Sequence, residues 1–143
     1  GSYIDKPERL SLIKVTPYTP YSAFYNRLQR QLNRSDIYIS DTSDANIPSL
    51  TIQDQNFERT ILTKDNHGNI LRERFDLSLN FELFDSYGNY LLQPTQVKTY
   101  RIHDVNQVNQ LARDTETEML TYEMQQELIE QAVDYLSHVV MFP

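Results

Sequence analysis

The chain has 143 residues, 39% of them hydrophobic and 23% charged, a balance that suits one folded domain with a modest core and excludes a disordered tail. Twenty acids against thirteen bases give a formal charge of −7, and no basic stripe is large enough to hold nucleic acid. Cysteine is absent, which excludes disulfides, thiolate metal ligands and a thiol nucleophile, and no apolar run approaches the roughly 20 residues that span a bilayer.

Gly1-Ser2 reads as the remnant of a removed tag, leaving residues 3–143 as one expected domain. A signal peptide or lipid-bearing cysteine would have to precede Tyr3. Leu10-Ser11-Leu12-Ile13-Lys14-Val15 is short, apolar and bounded by Pro7 and Pro17, so it reads as a buried strand. Pro17 and Pro20 then force a loop, with Thr19 placed to cap a helix and Pro20 at its first position. Tyr21, Phe24, Tyr25, Leu28 and Leu32 follow at helical spacing as one apolar face, which puts Arg27, Arg30 and Arg34 on the polar side with no acid between them.

Ile37-Tyr38-Ile39 is a brief apolar patch leading into a polar loop. A strand is expected from Ser49 to about Thr63, and its alternation changes phase between Ile52 and Phe57, which predicts a bulge at Asp54 to Asn56. From Leu71 to Leu83 the alternation is clear: Phe75, Leu77, Leu79, Phe81 and Leu83 share one face, and Arg74, Asp76, Ser78, Asn80 and Glu82 the other. Asn66-His67-Gly68-Asn69 and Ser86-Tyr87-Gly88-Asn89 supply the turns before and after it, where Gly and Asn tolerate positive φ. Tyr90 to Ile102 is the last strand, with Pro94 marking an edge or bulge.

Val105 to Val140 reads as a second helix with Asp104 as its cap. Its seam runs through Val108, Ala112, Thr115, Met119, Tyr122, Gln126, Ile129, Val133, Leu136 and Val140, widened by Leu111, Leu128, Ala132 and Val139. From Val105 onward seven acids face one base, Arg113, so this tail carries −6 of the net charge. The expected fold is α+β: a two-layer sandwich of a four-stranded mixed sheet with two helices on one face, in the order β-α-β-β-β-α. The basic side of the first helix would lie near the acidic second helix.

Little in this pattern supports catalysis. His67, His103 and His138 fall in a turn, at a strand end and at a helix end, without a partner at metal-ligand spacing. With three glycines no phosphate-cradling loop forms, and the carboxylates lie mostly on outward faces rather than in a shared pocket. No catalytic residue, cofactor or metal is therefore assigned. Arg59, Lys64, Arg72, Arg74 and Arg101 fall on or beside the strands, and Arg113 stands alone in an acidic helix. A lone arginine among acids is ordinarily an intrahelical ion-pair partner, here of Glu116 or Glu118; the alternative is recognition of an anion.

The whole pattern resembles a known family. Tyr21-Ser22-Ala23-Phe24-Tyr25-Asn26-Arg27-Leu28-Gln29-Arg30-Gln31-Leu32, then Ile47-Pro48-Ser49-Leu50-Thr51-Ile52, the hairpin at Asn66-His67-Gly68-Asn69, and Leu111-Ala112-Arg113-Asp114 with Glu118 and Tyr122-Glu123-Met124 are similar in order and spacing to LptE, the lipopolysaccharide-assembly lipoprotein of Gram-negative outer membranes. The resemblance implies a non-enzymatic plug inside the LptD β-barrel, needed for assembly of that barrel and binding lipopolysaccharide during its delivery to the cell surface. It also implies an N-terminal lipid anchor, absent from this sequence, holding the domain on the periplasmic side of the outer membrane. Lipopolysaccharide-binding residues carry over to Arg113, and less directly to Lys64 and Arg72, because Asn66 stands where the family places a base. The residues alone fit a second reading, a generic periplasmic protein–protein interaction module using the open sheet face.

Overall fold

The computed structural model describes residues 7–42 and 46–142; Gly1-Ser2, read as a tag remnant, lies outside them. The elements in chain order are β1 (Glu8–Arg9), β2 (Leu12–Thr16), α1 (Ala23–Arg34), β3 (Tyr38–Ile39), β4 (Ser49–Ile52), β5 (Asn56–Lys64), β6 (Ile70–Phe84), β7 (Tyr90–Asp104), α2 (Gln110–Ser137) and β8 (Val140–Met141). The class is α+β with two helices, as expected, but the expected four-stranded sheet is a six-stranded one with a separate β1–β8 pair. β6 is its axis. β7 runs antiparallel along one edge of β6, while β4 and β5 share the other edge in tandem. β2 pairs parallel with both β4 and β3, so α1 connects parallel strands.

The strand expected from Ser49 to Thr63 is broken into β4 and β5 at Gln53-Asp54-Gln55. Ile52 faces Phe81 and Asn56 faces Ser78, so four steps on one side oppose three on the other. One extra residue is a bulge, and it reverses which face each later side chain takes. A second irregularity lies at Pro94, between the Phe81–Thr95 and Leu83–Leu92 pairs. Proline lacks the N–H a regular ladder needs, and here it sits on an edge strand.

Phe75, Leu77, Leu79, Phe81 and Leu83 are buried in one core with Ile13, Leu28, Leu32 and Leu50, and with Met124, Leu128, Ile129, Val133 and Leu136 of α2. Two helical expectations are corrected. α1 begins at Ala23 with Ser22 as its N-cap, because Thr19 closes a turn through its carbonyl to the Ser22 N–H (3.0 Å); Tyr21 is consequently exposed rather than on the apolar face. α2 begins at Gln110, not Val105. Pairing with β6 continues through Asp104, the Val105 N–H donates to the Leu71 carbonyl (2.9 Å), and Asn109 caps the helix by accepting from the Leu111 and Ala112 N–H groups. The predicted seam of α2 buries only in its C-terminal half, since Val108, Leu111, Met119 and Tyr122 are exposed and Met124 enters the core.

The two hairpin turns are built alike, from Asp65-Asn66-His67-Gly68-Asn69 and Asp85-Ser86-Tyr87-Gly88-Asn89. In each the aspartate accepts from the N–H two and four residues on, and the glycine takes positive φ, +82° and +85°. The Asn69 side chain and then its backbone N–H, with His67 and Gly68 adding smaller shares, hold the Asp65 carboxyl below its ordinary value. A depressed folded pKa stabilises the hairpin above the unfolded value of about 3.9 and loses that contribution as pH falls through the lower folded value. The Asp65 carboxyl carbon, followed by NMR, should titrate below about 3.9 and move back toward it in Asn69→Ala; a midpoint at or above that value would refute the reading.

Candidate functional site

Two of the three candidate bases, Lys64 and Arg72, lie at the closed end of the β5–β6 hairpin. Lys64 ends β5 opposite Ile70, and Arg72 stands two residues further along β6. The entrance to α2 is fastened to the same place, by the Val105–Leu71 hydrogen bond and by Gln107 Nε2 donating to the Ile70 carbonyl. Arg113 follows within the first turn of α2. The three bases differ in their company. Arg72 is paired with Asp104 through Nε at 2.9 Å, an exposed contact. Among the described residues neither Lys64 nor Arg113 has a carboxylate within ion-pair distance. The intrahelical ion pair expected for Arg113 is not formed, because Glu116 turns to His103 instead.

Arg113 lines a groove of about 490 Å³ with Arg59, Gln110, Asp114, Thr117 and Glu118. Arg59 thus joins the candidate bases. Its sequence signal was its parity with Phe57 and Ile61, the core-facing side of β5. Beneath the groove runs a polar chain that crosses four elements. Arg59 Nε of β5 lies 3.3 Å from Glu73 Oε2 of β6; Glu73 Oε1 lies 3.0 Å from His103 Nδ1 of β7; His103 Nε2 lies 2.8 Å from Glu116 Oε2 of α2. Glu73 is fully buried and His103 nearly so. Arg59 approaches Glu73 Oε2 at ion-pair distance without hydrogen-bonding geometry, so this oxygen is held by charge alone. The chain fixes the start of α2 to the sheet and so places Arg113, one turn before Glu116, beside Arg59.

Glu73 belongs to the same alternation as Phe75, which put it on the core face; its partner thirty residues away was not readable locally. Further along, Glu127 receives Thr99 Oγ1 at 2.6 Å and Arg101 at 2.9 Å, contacts that hold its carboxyl below the ordinary range and dock α2 on β7. His67 and His138 are exposed, and no group of three potential metal ligands occurs among the described residues. Among the described residues no helix is long and apolar enough to cross a membrane.

The fold is that of several bacterial lipoproteins of known structure. A minor lipoprotein from Acinetobacter baumannii superposes with a TM-score of 0.74 at 13% identity, covering 93% of this chain and 96% of that one. Rare lipoprotein B from Shewanella oneidensis gives 0.66 at 22% identity over 90% of each chain, and lipoprotein B from Nitrosomonas europaea 0.71 at 18%, over 87% of this chain and 80% of its own. The LPS-assembly lipoprotein LptE of Photorhabdus laumondii subsp. laumondii is 22% identical over 130 residues, 91% of this chain and 70% of that protein. The LptE family model, described as lipopolysaccharide-assembly, matches residues 10–136. The chain therefore belongs to the LptE family of outer-membrane lipoproteins, and its role lies in lipopolysaccharide assembly.

Proposed function

We propose that this chain is the plug subunit of the outer-membrane lipopolysaccharide translocon. It sits within an LptD-type barrel, assists assembly of that barrel, and binds lipopolysaccharide during delivery to the cell surface. It performs no chemistry of its own, and an N-terminal lipid holds it on the periplasmic side of the outer membrane. Residues 3–143 act as one domain in this role. Beyond family membership, the supporting observation is two cations without an ion-pair partner among the described residues, Lys64 at the end of β5 and Arg113 in the first turn of α2. The phosphates of lipid A need such local donors, because the protein as a whole carries −7 and repels polyanions.

Arg72 contributes less, since Asp104 already engages it. Arg113→Glu is expected to weaken lipopolysaccharide binding by roughly tenfold, the worth of one charge-assisted contact. Lys64→Glu should weaken it by a smaller factor. Binding unchanged in both variants would remove the site. The barrel half of the proposal is tested separately, by recovering a lipidated, full-length form from outer membranes; absence of a co-purifying β-barrel would favour the generic interaction module.

A further inference from the structure

The arginines of α1 do something the sequence did not lead us to expect. Arg27, placed on the polar side of the helix, is 5% exposed and packs against α2. It meets no acid there. Its Nε donates to Gln126 Oε1 (3.1 Å), Nη1 to Gln125 Oε1 (3.3 Å) and Nη2 to the Tyr122 carbonyl (2.7 Å), with the guanidinium carbon 3.6 Å from the Tyr122 ring centroid. The expected attraction between a basic and an acidic helix is thus not realised as ion pairs among the described residues; neutral amides make the contact.

Arg30 and Arg34 follow Arg27 at steps of three and four on the same helical face. Together with Gln31, Tyr122 and Gln126, the three arginines line a groove of about 360 Å³ between the helices, and no carboxylate is among its walls. Arg34 Nη1 reaches only Gln31 Oε1, at 3.4 Å, and Arg30 has no ion-pair partner among the described residues. Glu130 touches the rim through Gln126 Nε2 (3.2 Å), its own carboxylate outside the lining.

We infer that this groove is a binding site for a phosphoryl oxyanion. Guanidinium groups present planar forks of donors matched to phosphate oxygens, and their charge persists at any physiological pH. Arg30 and Arg34 offer such forks along one face, and Arg27 adds its charge and the two N–H bonds left after its three contacts, a donor set for the several terminal oxygens of a phosphoryl group, whereas a carboxylate would leave donors open. Arg27, locked by Gln125, Gln126 and Tyr122, is the preorganised member, and Arg30 and Arg34 close on the ligand from the exposed side. The site is separate from the hairpin-end bases and does not depend on their assignment.

The probe is inorganic phosphate, followed through the arginine Nε–Hε and backbone amide signals of the intact chain. Saturable shifts at Arg27, Arg30 and Arg34 are expected, reduced at least about tenfold in affinity by Arg30→Glu with Arg34→Glu. Both altered side chains are exposed, and the same spectra report whether the fold is retained. Arg113→Glu should leave these shifts in place. Vesicles of phosphatidylcholine with and without phosphatidylglycerol identify the source. Binding to the anionic vesicles that is lost in the double variant assigns a lipid headgroup; response to free phosphate without vesicle binding assigns a soluble one. Shifts reproduced by chloride at equal ionic strength, or unchanged in the double variant, would overturn the site.

Discussion

In urea denaturation, His103→Ala is expected to lose about 3–5 kcal/mol of folding stability, because it leaves a buried carboxylate without its main partner. Glu73 has no exposed surface, and Arg59, its other partner, is a partly exposed side chain poorly aligned for hydrogen bonding. Both ring nitrogens of His103 meet carboxylate oxygens, so alanine removes two contacts and detaches Glu116 from β7 as well. Against a total stability of about 5–15 kcal/mol for a domain, this is a large fraction. Replacing the pair together, His103→Leu with Glu73→Leu, should recover much of the loss, since an apolar pair of similar volume does not have to desolvate charge. The recovered variant separates two roles. If the polar chain serves mainly to set the start of α2, the double replacement will be stable yet will show altered amide signals around Arg113. A loss below about 1 kcal/mol for the single change would mean that water already reaches Glu73, contrary to its burial.

How much of this was legible beforehand depends on the range of the cause. The alternation from Phe75 to Leu83 could be read because the pleat alone decides which face each residue takes. The β4–β5 bulge showed as a phase change for the same reason, and Pro94 marked its irregularity because a missing N–H is a local fact. The two helices begin three and five residues later than their sequence signals suggest, at Ala23 and Gln110. At α2 the ladder with β6 competed with helix formation and held the chain extended through Asp104, and a capping asparagine lay five residues beyond the expected aspartate. The hydrophobic seam also overran its real extent, since the first half of α2 packs over the polar chain and not over the apolar core. The basic side of α1 is expected near α2, and Arg27 does pack there, but that Gln125, Gln126 and the Tyr122 carbonyl meet it instead of an acid rests on contacts between residues 95 to 99 positions apart. Likewise the candidate bases could each be named, but that Arg113 has no ion pair with Glu116 follows from Glu116 being drawn to His103, a tertiary contact. Charge counts are sequence properties; which charges meet is not.

The same distinction bears on the core, where two phenylalanines of one strand should respond differently to truncation. Phe75 and Phe81 are both essentially unexposed residues of β6, facing the helices, and Phe→Ala at such a position costs about 3–5 kcal/mol. Phe81 packs edge-on against Tyr135 at 6.1 Å, opposite the apolar half of α2. Removing it opens a cavity among aliphatic side chains that water does not fill, so the full cost should appear. Phe75 instead lies between the Phe57 ring at 5.4 Å and the His103 ring at 5.5 Å, with the Arg59 guanidinium 5.1 Å from its centroid. Its cavity borders Glu73 Oε2, an oxygen that lacks a hydrogen bond, and a water entering there would gain polar partners. Phe75→Ala is therefore expected at the lower end of the range and Phe81→Ala at the upper, a difference of about 1 kcal/mol or more in paired urea titrations. Equal losses would show that the space beside Phe75 stays dry, and that the polar chain beneath Arg113 is sealed as tightly as the apolar core.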